Sequence, residues 1–99
     1  MNDNPFLDKR VEELLVTVGI TSTSYQWLFE TQGGRSVDRN QGSVDVYSEE
    51  QSAKEMIELL KKANKGFPVN AEKTKLDWRP GEFIRFYVSF NKDGEWRIK

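Results

Sequence analysis

Two stretches of the chain carry apolar residues at spacings of three and four, and several others carry them on alternate positions. That difference in period divides the sequence into helices and strands. The first helical stripe is Phe6, Leu7, Val11, Leu14, Leu15 and Val18. Asn4 can cap its free amides, Pro5 suits the first helical position, and Asp8 complements the positive end of the dipole. Gly19 fits the left-handed residue that closes a helix, with Ile20 folding back on the last turn. The spacing therefore predicts a helix over about 5–18.

The second stripe is Ala53, Met56, Ile57, Leu60 and Ala63. Ser48 with Gln51 fits the S-x-x-Q capping pattern, and Glu49 and Glu50 would then lie in the first turn, where negative charge is favoured. Lys61, Lys62 and Lys65 crowd the other end, and Gly66 followed by Pro68 stops the helix. The expected range is about 49–65.

Strands are expected where β-forming residues alternate. Residues 24–30 place Tyr25, Trp27 and Phe29 on one side and Gln26, Leu28 and Glu30 on the other. Short strands over 36–39 and 43–47 flank a turn at Asn40-Gln41-Gly42-Ser43, with Val44 and Val46 inward and Asp45 and Tyr47 outward. The last third reads as a meander: a strand over 71–78, a turn at Arg79-Pro80-Gly81-Glu82, a strand over 83–90, a hairpin turn at Asn91-Lys92-Asp93-Gly94, and a strand at 96–98. Ile84, Phe86, Val88 and Phe90 share one face of it, and Phe83, Arg85, Tyr87 and Ser89 the other. The order α-β-β-α-β-β-β, with short β-β links, predicts a single α+β domain over 1–99, built on an antiparallel sheet with two helices to one side.

Composition narrows the chemistry. The 99 residues include no Cys and no His. This excludes a disulfide framework, Cys-ligated zinc, a thiol nucleophile and every Ser-His-Asp arrangement. Glu12-Glu13 and Glu49-Glu50 are adjacent carboxylates, but neighbours on a helix diverge by about 100° and cannot flank one bond. No calcium loop, phosphate loop or dinucleotide turn is present. We therefore expect no enzyme, no catalytic residue, no metal and no cofactor.

Charge is uneven along the chain. Residues 1–50 carry nine acids against four bases, and residues 51–99 carry eleven bases against seven acids. Phosphate affinity needs clustered cations free of competing acids. The helix-strand-helix order is similar to that of a double-stranded-RNA-binding module, yet Ser48, Glu49 and Glu50 stand where that module places its cations. Nucleic acid is therefore the disfavoured partner. No stretch approaches the roughly 20 apolar residues of a membrane span, and MNDNPFLDKR lacks the basic-then-apolar order of a secretory signal, so a cytoplasmic protein with no membrane association is expected.

With both helices packed on the Trp27, Val46, Phe86 and Val88 side, the opposite sheet face presents Leu28, Glu30, Asp45, Tyr47, Phe83, Arg85 and Tyr87. Tyr, Phe and Arg mixed with acids is the composition of a protein–protein contact; the competing reading is that a loop or the first helix covers this face. Trp78 and Trp96 read as packing residues near strand ends, each needing a partner for its indole N–H.

The run Leu76-Asp77-Trp78-Arg79, the strand Phe83 to Phe90 and the hairpin Asn91-Lys92-Asp93-Gly94-Glu95-Trp96 resemble small bacterial immunity proteins encoded beside polymorphic toxins. In those proteins a long helix leads to a tryptophan-bearing strand and a closing hairpin with a D-G turn. The resemblance implies a non-catalytic cytoplasmic protein that binds a toxin, nuclease or other enzyme and occludes its active site. Glu30, Asp45 and Glu49 would then meet a basic cleft, around a centre of Asp45, Tyr47, Arg85 and Tyr87. A phage-encoded inhibitor of a host defence nuclease has the same profile. A regulatory module stacking nucleic acid on the aromatic face is the reading from another class.

Overall fold

In the computed structural model the described residues are 7–32 and 36–99, with the side chains at 30–32 and 36–38 outside the description. The elements follow the expected order: α1 (Lys9–Val18), β1 (Ser24–Gln32), β2 (Ser36–Tyr47), α2 (Ala53–Ala63), β3 (Glu72–Leu76), β4 (Arg79–Phe90) and β5 (Trp96–Ile98). All strand pairs are antiparallel and form one five-stranded sheet, ordered β1-β2-β4-β3, with β5 also on β4. β3 lies opposite Arg79–Arg85 and β5 opposite Val88–Phe90, so two short segments share the outer edge of β4. They meet where the Asn70 amide donates to the Lys99 carbonyl at 2.9 Å. Because β2 and β3 both run antiparallel to β4, they are parallel to each other with β4 inserted between them.

Both helices pack on one sheet face, giving two layers around one apolar core. Val11, Leu14, Leu15 and Val18 of α1 and Ala53, Met56 and Leu60 of α2 meet Trp27, Val44, Val46, Ile84, Phe86, Val88, Phe90 and Ile98 of the sheet. Trp27 and Phe90 contact edge to face with ring centres 5.7 Å apart. Each such side chain contributes roughly 1.5–3 kcal/mol relative to exposure. No helix among the described residues is long and apolar enough to cross a membrane.

Several boundaries differ from the sequence reading, each for a local reason. Asn4, Pro5 and Phe6, expected in the first turn and its cap, lie outside the described residues. Helix α1 starts at Lys9 because Asp8 is its cap, the side chain accepting from the Arg10 amide at 2.8 Å. Burial pulls the Asp8 pKa upward, but hydrogen bonds from the Arg10 guanidinium and amide outweigh it and hold the carboxyl below its ordinary value. At the other end Gly19 takes φ 95°, with the Ile20 and Gly19 amides donating back to Leu15 and Val16, as expected of a glycine stop.

Helix α2 starts at Ala53, four residues later than expected. Two S-x-x-[E/Q] frames stand in tandem, and the second is used: Ser52 and Glu55 form a reciprocal capping box. The first frame makes a turn, with Ser48 Oγ accepting from the Glu50 and Gln51 amides. Glu49 and Glu50 therefore precede the helix. Gln51 is spent on α1, accepting from the Thr21 amide at 2.7 Å and donating to the Gly19 carbonyl at 3.0 Å.

The expected short strands at 36–39 and 43–47 are one strand, β2, carrying a bulge where the turn was expected. Phe29 pairs with Gly42 but Glu30 with Asp38, so Arg39, Asn40 and Gln41 are extra on the β2 side. A Cβ on Gly42 would fall on the Leu28 carbonyl oxygen, so the bulge closes only over a residue without a side chain. Arg10 ties this bulge to α1. Its guanidinium donates to Asn40 Oδ1 at 2.8 Å and to the Arg39 carbonyl at 2.9 Å, while stacking 4.4 Å from the Phe90 ring.

The turn expected at residues 79–82 is likewise a bulge. The hairpin reverses at Asp77-Trp78, with Leu76 opposite Arg79, and the register then slips across Pro80 and Gly81. Pro80 has no amide for the ladder and Gly81 takes φ 119°, which suits an interruption inside β4.

Candidate functional site

Alternation along the strands places the expected residues on the helix-free face of the sheet as a grid. One rung joins Gln26, Asp45 and Arg85, and the next joins Leu28, Ser43 and Tyr87. Tyr47 and Phe83 lie on the other side of the charged rung, with ring centres 5.5 Å apart. Leu28, Asp45, Tyr47, Phe83, Arg85 and Tyr87 are thus brought together. Glu30 belongs to β1 by its backbone, but its side chain lies outside the description. Glu49 stands at the margin just beyond β2.

The surface differs from the sequence expectation in what it exposes. Asp45 and Phe83 were expected to face outward, yet each is 0% exposed. The β3–β4 hairpin carries Trp78 onto Phe83, and Asp45 is engaged by the side chains that flank it, Gln26 and Arg85. Trp78 packs edge-on against Phe83 at 5.5 Å, and its indole N–H donates to Gln26 Oε1 at 3.1 Å. The Gln26 amide in turn donates to Asp45 Oδ2 at 2.8 Å, and Arg85 grips Asp45 through Nε to Oδ1 at 2.7 Å and Nη2 to Oδ2 at 3.1 Å. A continuous hydrogen-bond path therefore runs from Trp78 through Gln26 and Asp45 to Arg85. Asp45 is internally paired and cannot meet a basic cleft directly. Its hydrogen bonds raise the Arg85 pKa above the ordinary value, against the lowering effect of burial.

The second acid is engaged too. Glu49 Oε1 accepts from Arg79 at 3.3 Å, and the Arg79 guanidinium lies 4.6 Å from the centre of the Tyr47 ring. Gly81 backs the same ring: a Cβ there would come within 2.5 Å of Tyr47 Cε1. Tyr47 is thereby held between a bulge glycine, a guanidinium and Phe83, so it supports the fold as well as contributing surface.

What remains accessible is an aromatic crest and a trough. Trp78 is 54% exposed although both its ring and its N–H are anchored. Beyond the charged rung, Leu28 and Tyr87 flank the small residues Gly42 and Ser43 in a groove of about 460 Å³ that ends at Asn70 and Lys99. The sequence reading treated Trp78 as packing and passed over Gln26, Ser43, Arg79 and Lys99. The signal for Trp78 was an indole near a strand end whose N–H needs a partner, and nothing local marks Gln26 as its acceptor 52 positions away. A comparison with protein-family models, curated proteins and solved structures finds no match to this chain.

Proposed function

We propose that the protein is a non-catalytic binding module that contacts another protein through the helix-free face of its sheet. We further propose that it works as an immunity-type inhibitor, occluding the active site of a toxin, nuclease or other enzyme. The observation that carries this reading is Trp78: a large aromatic side chain, half exposed, yet held by a hydrogen bond and a ring contact on a rigid sheet. Binding energy concentrates in such anchors, because Trp, Tyr and Arg bury much area and pre-ordering removes much of the entropy cost. Tyr47, Arg79, Arg85 and Tyr87 add to the same face the side-chain types enriched at such centres. The resemblance of residues 76–96 to immunity proteins points the same way, and the path from Trp78 to Arg85 fixes the crest before any partner arrives.

The test is co-purification of the tagged chain from its own cells, followed by titration of the recovered protein with Trp78→Ala and, as control, Lys62→Ala on the exposed side of α2. Trp78→Ala is expected to weaken binding by about 2 kcal/mol or more, near thirtyfold, and the wild type to suppress the partner's turnover at one-to-one stoichiometry. Equal affinity of Trp78→Ala and wild type would refute the surface assignment. Recovery of nucleic acid released by salt, with no stoichiometric protein, would favour the stacking module instead.

A further inference from the structure

The groove beside the crest has a chemistry of its own. Its walls are Leu28 and the Tyr87 ring, its floor is Gly42 and Ser43, and its outer end is Asn70 and Lys99. Across the sheet Lys99 stands opposite Tyr87, its amide donating to the Tyr87 carbonyl at 2.9 Å. A polar hollow adjoins it and shares Lys99, adding Arg97 on β5 together with Ser89 and Glu95. Elsewhere on this face the cations are already neutralised, Arg85 by Asp45 and Arg79 by Glu49. The Lys99 ammonium donates only to a neutral amide, Gln41 Oε1 at 2.8 Å, and the Arg97 side chain has no hydrogen bond or ion pair among the described residues. The acid beside them, Glu95, receives the Asn91 amide at 3.0 Å.

We propose that this groove receives an apolar side chain from an acidic segment of the protein partner. The side chain lies over Ser43 between Leu28 and Tyr87, and the flanking carboxylates meet Lys99 and Arg97. This deepens the reading above and rests on it. Charge decides the occupant: among the described residues the slot opens onto two cations, Lys99 and Arg97, against one acid, Glu95, and this net positive end favours a segment that supplies carboxylates over a basic one. It also reverses the sign expected from sequence, since two of the acids assigned to meet a basic cleft, Asp45 and Glu49, are spent on Arg85 and Arg79.

The experiment pans a phage-displayed library of random twelve-residue peptides on the full chain. The enriched peptides are then synthesised and titrated against wild type, Ser43→Phe, Lys99→Glu and Trp78→Ala, with each variant's thermal midpoint measured in parallel. The expected result is enrichment of one large apolar residue flanked by Asp or Glu, with affinity falling tenfold or more in Ser43→Phe and in Lys99→Glu. Since Ser43→Phe fills the groove and could perturb the sheet, the surface substitution Lys99→Glu decides the matter independently. Enrichment of Lys- or Arg-rich peptides, or affinity unchanged in Lys99→Glu, would overturn the proposal. So would equal or tighter binding of a twelve-residue oligothymidylate, because phosphate would then be the anion the cations take. If Trp78→Ala abolishes capture of the natural partner while Lys99→Glu leaves it intact, the groove proposal fails and the protein-contact reading stands. If neither substitution matters, both fail.

Discussion

Arg85 and Asp45 hold the helix-free face together, yet removing one should cost much more than removing the other. Arg85→Leu deletes both guanidinium bonds and leaves the Asp45 carboxylate, 0% exposed, with the single Gln26 amide at 2.8 Å. Stripping one partner from a buried ion pair costs roughly 3–5 kcal/mol. The Arg85 side chain is 30% exposed and the Gln26 bond survives, which places this case at the lower end, about 3 kcal/mol. Asp45→Asn strands only a guanidinium that can turn to water, so its cost is limited to the lost charge-assisted bonding, about 1–2 kcal/mol. The double variant no longer buries an unpaired charge and should be more stable than Arg85→Leu alone. Urea unfolding followed by circular dichroism reads all three, and at about 4 °C or more per kcal/mol for a domain of this size Arg85→Leu should lose some 12 °C of thermal midpoint. A loss below about 1 kcal/mol for Arg85→Leu, or a double variant less stable than that single one, would refute the account of a buried, mutually dependent pair.

Two further outcomes follow from the geometry. Gly42→Ala sets a methyl against the Leu28 backbone, which cannot swing away as a side chain could; a loss above about 2 kcal/mol in the same urea assay is expected, and a neutral effect would show that the bulge relaxes freely. Tyr25 has its pKa pushed up from 10.0 to about 12, first by burial and then by the Glu12 carboxylate that its hydroxyl meets at 3.0 Å. Because the raised value favours the protonated form in the folded chain, the associated stability is complete below pH 10 and is lost as pH climbs through about 12. Titration at 295 nm should show a tyrosine phase near pH 12, and Tyr25→Phe should remove it.

Period and turn chemistry made most elements legible, because the apolar stripes of α1 and α2 and the alternation of 83–90 are set by neighbours a few residues apart. Boundaries failed where one local signal had two readings. Ser48-x-x-Gln51 and Ser52-x-x-Glu55 both spell a cap, and only the demand of Thr21 and Gly19 for the Gln51 side chain selects the second. Pro80-Gly81 spells a turn equally well as a bulge, and Tyr47 lying against Gly81 decides it. The membership of the helix-free face was readable by parity, but its exposure was not. Phe83 packs under the Trp78 indole and Asp45 lies beneath the side chains of Gln26 and Arg85, 19 and 40 positions away, and no pattern within either strand encodes that.

The insertion of β4 between β2 and β3 carries a consequence for how the chain assembles. Val44 and Phe86, direct neighbours in the sheet, are 42 residues apart in sequence, so this pairing must wait for a large loop to close. The β3–β4 hairpin can form locally and then dock as a unit, sealing α2 beneath the sheet in the same step. Bonded pairs alternate along an antiparallel ladder, and Tyr87 turns its carbonyl toward Lys99, so the amides of Ile84, Phe86 and Val88 point inward to β2. These three have fully buried side chains and lie in the central strand, between β2 and the outer segments. They are the protons that solvent should reach last, and their exchange reports on the opening of the whole molecule, while those at the β3–β5 junction report only on a seam.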